Sequence, residues 1–304
     1  MVTPSPVAVS QMPHRSLWGD AWRRFRRDRT AVLGSIVLGV IVFGAIFGPL
    51  LYDVPIGEID FGRSSLPPSG EHPFGTNDLG QDQLARVLWG GRVSLSVGVA
   101  AMVVSMGLGI FVGAIAGFYG KWLDGLLMRV TDLFLALPQL PLLLLIVYLF
   151  RDSLKAIAGP ELGVFLLIVV VIGSLNWMSV ARLIRAEFLS LRETNFVAAA
   201  RALGATPSRL IWVHLFPNVL GTAIVAATLA VGRAILIEST LSFLGLGFPP
   251  DVPTWGRMLF DAQNYLESAP HMAIFPGLAI FLTVLSINFI GDGLRDALDP
   301  QSRR

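Results

Sequence analysis

Residues 93–120 read VSLSVGVAAMVVSMGLGIFVGAIAGFYG, a run of 28 residues with no Asp, Glu, Lys or Arg. A helix that crosses the hydrocarbon core of a bilayer needs about 20 apolar residues, so this run predicts a transmembrane helix. Working outward, five more such runs appear: Ala31–Leu51, Leu133–Phe150 with a start drawn back toward Leu123, Leu162–Ala181, Leu210–Gly232 continuing through Arg233 and Glu238, and Ser268–Gly291. The reading is an all-α integral membrane protein with six transmembrane helices. Long continuous runs do not suit a transmembrane β-barrel, whose strands alternate over about 10 residues.

Composition agrees. The 304-residue chain is 54% hydrophobic and only 14% charged, against about 25% charged in soluble domains. A polar surface cannot cover such an interior, which excludes a soluble enzyme and a disordered chain. With no Cys, thiol catalysis, disulfides and Cys-based zinc sites are excluded too. The first span begins after about 30 residues and lacks a small-x-small cleavage site, so it is not read as a cleaved signal peptide.

The net charge of +2 hides a sorted distribution. With the N-terminus in the cytoplasm, cytoplasmic segments hold 16 of the 23 Lys and Arg. External segments hold six: Arg63, Arg86, Arg92, Arg151, Lys155 and Arg257. That excess follows the positive-inside rule and places both termini in the cytoplasm. The expected organisation is a cytoplasmic tail and amphipathic helix (1–29), a first span (30–52), an external loop (53–92), a five-helix core (93–293) with a cytoplasmic loop (182–209), and a tail (294–304).

Smaller features carry paired readings. Ser16–Arg29 places Trp18, Trp22 and Phe25 on one helical face with arginines around them; this is either a helix in the membrane interface or a basic cluster that sets topology. Gly109, Gly113 and Gly117 recur every four residues, as do Gly44 and Gly48. Small residues at this spacing let helices approach closely, here against the chain itself in preference to a partner. Pro138 and Pro141 predict a kink. Arg233 and Glu238 are the acid and base inside a span, and intramembrane charge is a functional candidate by default. Five residues apart, they sit ~140° apart around a helix and do not pair. They either line a translocation path or hold structural hydrogen bonds.

Residues 195–210 read NFVAAARALGATPSRL. Asn195 is a candidate N-cap, the alanines favour helix, and Gly204 suits a left-handed terminator. Thr206-Pro207 starts a second helix, which enters the membrane near Phe216-Pro217. A short Ala-rich helix of this kind can seat closely in a partner's groove. No GxxxxGK[ST], HExxH or GxSxG occurs, the four His show no ligand spacing, and no catalytic constellation emerges.

Ala198-Ala199-Ala200, Gly204 and Phe216-Pro217 match the spacing of the EAA loop of bacterial ABC importer permeases. The chain resembles the C-type permease of the dipeptide, oligopeptide and nickel branch over nearly its whole length. RRFRRDRTAVLG, the external HPFGTNDLGQD (His72–Asp82), LSFLGLG with PTWG, FPGLAI and GDGLRDALDP carry that resemblance in order. It departs where the family Glu is Ala198 and the Leu before Pro is Phe216; the first 13 residues and Arg233 lie outside the match.

The resemblance implies a type I importer permease fold, in a multi-pass subunit of the bacterial plasma membrane. It implies a heterodimer with a homologous permease, two ATPase subunits and an external binding protein. The chain itself would bind no cofactor, and the partners would use ATP and Mg. The implied cargo is a dipeptide or oligopeptide, with nickel or another small ligand as the alternative. A stand-alone ion-coupled transporter using Arg233 and Glu238 is the rival. The implied ATPase-coupling residues are Phe196, Ala198, Ala199, Ala200, Arg201, Gly204, Ala205 and Pro207. In the external motif His72, Phe74, Gly75, Asp78, Gly80 and Asp82 are singled out. There the glycines are read as turn formers and the two Asp as internal hydrogen-bond acceptors before substrate contacts.

Overall fold

The computed structural model describes residues 17–298. His14, Ser16, the Trp18 side chain and residues 299–304 lie outside it. The helices are α1 Leu17–Phe25, α2 Arg29–Leu51, α3 Gln83–Tyr119, α4 Lys121–Ala136, α5 Gln139–Ala158, α6 Pro160–Ser174, α7 Trp177–Arg192, α8 Asn195–Ala202, α9 Pro207–Arg209, α10 Phe216–Phe243, α11 Trp255–Ala262 and α12 His271–Leu298. A π-helical turn, Leu210–Leu215, joins α9 to α10.

Five stretches are long and apolar enough to cross a membrane: α2, α3, Pro160–Arg192, Pro207–Phe243 and α12. α4 and α5 together make a sixth if they count as one span bent by 86°. The positions of their ends decide that they do. α4 starts beside Arg192, whose guanidinium crowds Gly120. In the second half of α5, Arg151 donates to the carbonyls of Gly245 and Gly247 at 3.4 and 2.9 Å, past the last residue of α10. The bent pair therefore runs from one face of the molecule to the other.

The chain ends agree with six crossings. Ala21, Phe25 and Ala31 cluster with Ala297 at the end of α12. Both ends of the described chain thus lie on one face, which requires an even number of crossings. The same face holds the end of α7 and the start of α10, where Thr222 donates to Glu187 at 3.0 Å. α8 lies there as well.

Local chemistry explains the element starts. Asp28 caps α2 by accepting from Thr30 N and Ala31 N at 2.9 and 3.2 Å. Its hydrogen bond from the Thr30 hydroxyl, with those backbone bonds, holds the carboxyl below its usual value. Gly109, Gly113 and Gly117 bring α3 against α7: a Cβ on each would stand 2.5 Å from Val180, the Ala181 carbonyl and Phe188 respectively. The small-residue stripe is thus packing within the chain, and Gly48 does the same against Leu88.

The structure departs from the sequence expectations in several places. The third span is broken at Leu137-Pro138, well beyond a kink, because Pro138 drives Leu137 into extended backbone (ψ 139). Pro141 sits in the first turn of α5, where its missing N–H costs nothing. The expected external loop 53–92 is shorter, since α3 begins at Gln83. Arg92 ends the charge-free run, yet it stays in the helix by donating to the carbonyls of Ala45 and Ile46 at 2.8 and 2.6 Å. The loop expected over 182–209 also shrinks, because α7 continues to Arg192. Arg182 and Arg185 pair with Asp132 and Asp124 on α4. On α1, Ala21 and Phe25 pack against α12, while Trp22 stacks on Phe25 and is 60% exposed.

Candidate translocation cavity and coupling surface

α8 is held from below and open above. Val197 is fully buried in a cluster with Phe188, Leu210, Ile211 and Leu215. Ala200 and Ala205 pack against the same cluster. Phe196 and Leu203, one helical face apart from that anchor, are 43% and 89% exposed. Ala198, Ala199, Arg201, Gly204 and Pro207 are exposed beside them. Gly204 terminates the helix with φ +84 and has nothing within 4 Å of a hypothetical Cβ. Thr206 caps the next turn by accepting from Arg209 N at 3.4 Å, with Pro207 at its first position. Asn195 is not the cap: Thr194 occupies that position, and its hydroxyl donates back to the Leu191 carbonyl at 2.5 Å. The result is a short helix, gripped on one side, that presents the exposed side chains of Phe196 and Leu203 on another.

Arg233 faces two adjoining cavities of about 380 and 250 Å³. Asn176, Ser179 and Arg233 line both. The break between α4 and α5 and the break between α6 and α7 meet at the larger one, through Leu137, Gln139, Leu175 and Asn176. Gln139 donates to Asn176 Oδ1 at 3.3 Å, and Asn176 Nδ2 donates to the Ile172 carbonyl at 2.7 Å. Non-helical backbone at membrane depth is tolerated where it is buried in protein or lines a watery cavity. Arg233 has no hydrogen bond or ion pair among the described residues.

Glu238 is placed otherwise. It is fully buried and lines none of the described cavities. Ser242 and Ser94 donate to its two oxygens at 2.7 and 3.2 Å. Ser94 accepts from Trp255 N at 3.3 Å, and the Trp255 indole donates to the Val87 carbonyl at 3.0 Å. The carboxyl therefore ties α3, α10 and α11 together. The LSFLGLG and PTWG segments wrap this knot: a Cβ at Gly247 or Gly256 would strike Ser242 or Ser239. Sequence reasoning named Glu238 but missed Ser94, Ser242 and Trp255, since a hydroxyl in a span carries no distinguishing signal.

The His72–Asp82 motif forms a cap. Asp82 caps α3 by accepting from Ala85 N at 2.8 Å, and also accepts from the Tyr52 hydroxyl at 2.9 Å and contacts His72 Nδ1 at 2.8 Å. Burial, and then the Asp82 carboxylate, push the Tyr52 phenol up to about 12. Phe74 stacks on Phe275 at 3.8 Å, and His271 Nε2 lies 2.9 Å from the Thr76 carbonyl. Gly75 and Gly80 take φ +74 and +77; a Cβ at Gly80 would stand 1.9 Å from the Asp60 carbonyl. Asp78 lines a separate outer cavity of about 260 Å³ with Arg86, Asp251, Arg257 and Asp261. Burial raises Asp261 above the usual carboxylate value, against the opposing pull of Arg257 and Arg86.

Similarity to known proteins covers both halves of the chain. The family described as binding-protein-dependent transport system inner membrane component matches residues 109–304, and the N-terminal TM domain of oligopeptide transport permease C matches residues 16–68. The dipeptide transport system permease protein of Alkalihalophilus pseudofirmus is 40% identical over 299 residues, covering 98% of this chain and 95% of the relative. The oligopeptide transport system permease protein of Bacillus subtilis is 37% identical, covering 95% and 91%. The glutathione transport system permease protein of Pectobacterium atrosepticum is 36% identical, covering 94% and 92%. Among solved structures, the MetNI methionine ABC transporter in an inward-facing conformation superposes with a TM-score of 0.55 at 19% identity, over 70% of this chain and 96% of that one. At that identity the likeness speaks for fold.

Proposed function

The chain belongs to the binding-protein-dependent transport system inner membrane component family, and from that premise we propose that it is a transmembrane permease subunit of an ATP-driven importer of dipeptides or oligopeptides. The observation that carries the cargo class is the 40% identity, across 98% of the chain, to a relative named as a dipeptide transport permease. The chain is multi-pass in the bacterial plasma membrane, with both termini cytoplasmic. It performs no catalysis; two partner ATPases bind ATP and Mg and hydrolyse the nucleotide. A homologous permease completes the pore, and an external binding protein delivers the peptide.

The geometry supports a division of labour. α8 docks on an ATPase through Phe196, Leu203 and the alanines between them. Because Val197 anchors α8 to α7 and to the start of α10, a displacement of α8 is passed to both helices that wall the Arg233 cavity. Ala198 in place of the family Glu removes one polar contact and leaves the apolar face. Arg233 lines the path, whereas Glu238 holds the outer ends of three helices together. Asp82 and Gly80 shape the external cap against which the binding protein sits.

Uptake in a strain deleted for this chain tests the reading. The expected result is loss of labelled dipeptide or oligopeptide uptake, restored by the gene. Intact peptide uptake with lost nickel uptake would move the chain to a metal cargo. Transport by the purified chain alone under an ion gradient would overturn the ATP-driven reading.

A further inference from the structure

We propose that Arg233 and Ser179 form an anion subsite that takes the C-terminal carboxylate of the transported peptide. The proposal rests on the peptide-importer reading and adds to it the group that is recognised and the residues that recognise it.

Two independent features converge on one point. The first is the cation. An Arg at membrane depth costs about 2.5–3.5 kcal/mol on insertion scales unless it has a partner or water. Arg233 finds no partner among the described residues and is exposed. The second is the pair of helix breaks, at Leu137-Pro138 and at Leu175-Asn176, which open polar backbone toward the same cavity. α10 itself is unbroken here, so nothing in its own path requires a charge at this position.

The donors are sorted by use. Asn176 is committed: its amide donates to Ile172 and its oxygen accepts from Gln139. It forms a fixed wall. Arg233 and Ser179 are the donor side chains common to both cavities that have no hydrogen bond among the described residues. A planar guanidinium matches a carboxylate with two parallel hydrogen bonds. The rest of the 380 Å³ cavity is largely apolar, with Phe134, Leu142, Met178 and Leu236 among its walls. A carboxylate on Arg233 would leave the side chain of the last peptide residue in that apolar lobe. Glu238 cannot compete for the guanidinium, because its oxygens face Ser94 and Ser242 inside the outer knot.

The test uses the complete transporter in proteoliposomes, with the binding protein loaded to saturation by each of two probes. One is a dipeptide with a free carboxylate; the other is the same dipeptide as its C-terminal amide. Arg233→Gln should cut acid uptake by about tenfold or more and bring the acid-to-amide ratio toward one. Arg233→Lys, which keeps the charge without the fork, should fall between. Yield of the assembled complex for each variant separates a folding failure from a transport failure. An unchanged acid-to-amide ratio in Arg233→Gln would overturn the subsite, as would an equal fall for both probes, which would assign the charge to an interface with the second permease. Wild-type liposomes that take up neither probe would sink the peptide reading itself, and the subsite with it.

Discussion

Glu238 and Arg233 lie five residues apart on α10, and the rest of the chain treats them in opposite ways. Glu238 is completely enclosed, with hydroxyl donors on both oxygens. Arg233 is exposed at the meeting of two cavities and two helix breaks, with no partner among the described residues. The same contrast separates the cap, where Asp82 meets Tyr52, His72 and Ala85, from α8, where Phe196 and Leu203 are exposed. A polar or apolar group that the chain satisfies internally holds the scaffold. In the proposed reading, one that it leaves open awaits something from outside: substrate, second permease or ATPase.

The largest effect expected from breaking this contrast lies at Gly204. Its left-handed backbone costs an L-residue about 1–2 kcal/mol, and Gly204→Asp also sets a carboxylate beside the exposed Leu203. ATP-driven uptake should vanish while membrane insertion persists, read by transport and by the amount of chain in the membrane. Normal uptake by this variant would remove the rigid-lever account. Leu203→Asp should weaken capture of the ATPase by roughly tenfold without altering the permease fold, measured by copurification at graded ATPase concentration.

Glu238 offers the sharpest way to break the comparison from the other side. Glu238→Ala orphans Ser94 and Ser242 and should cost roughly 3 kcal/mol of stability, seen as a lower thermal midpoint in detergent. Glu238→Gln keeps the shape and one of the two hydroxyl-to-oxygen hydrogen bonds, so it should retain transport. Lost transport in a stable Glu238→Gln protein would put Glu238 in the pathway after all.

Smaller still is Tyr52. Its phenol value is raised from 10.0 to about 12, so its contribution is full below pH 10 and is lost as pH rises through about 12. Tyr52→Phe should remove about 1 kcal/mol. It should also remove a component near pH 12 from the ultraviolet titration of the phenols.

Much of this was legible in the residues. The charge-free runs marked the six crossings, because hydrocarbon demands apolar length. Gly204, Thr206 and Pro207 announced the turn after α8 through backbone chemistry alone. Other features depend on tertiary partners. Arg182 and Arg185 end a charge-free run, yet α7 continues through them because Asp132 and Asp124 on α4 pair with them. Pro138 announces a kink, but not a break with an 86° turn, which depends on where α5 packs. The 140° between Arg233 and Glu238 showed that they do not pair. It could not show which one the fold encloses, since that depends on Ser94, Ser242 and Trp255 arriving from elsewhere in the chain.

The central claim is that the Arg233 cavity is open to water and substrate while the Glu238 knot is closed. The absence of Cys from the chain makes the test direct. Ser179→Cys and Ser242→Cys are near-isosteric, and each introduces a single thiol, one at the exposed cavity wall and one fully buried. In the assembled, nucleotide-free transporter, Ser179→Cys should react with a charged, membrane-impermeant thiol reagent and Ser242→Cys should stay unmodified. Equal labelling of the two, or labelling of Ser242→Cys alone, would contradict the account.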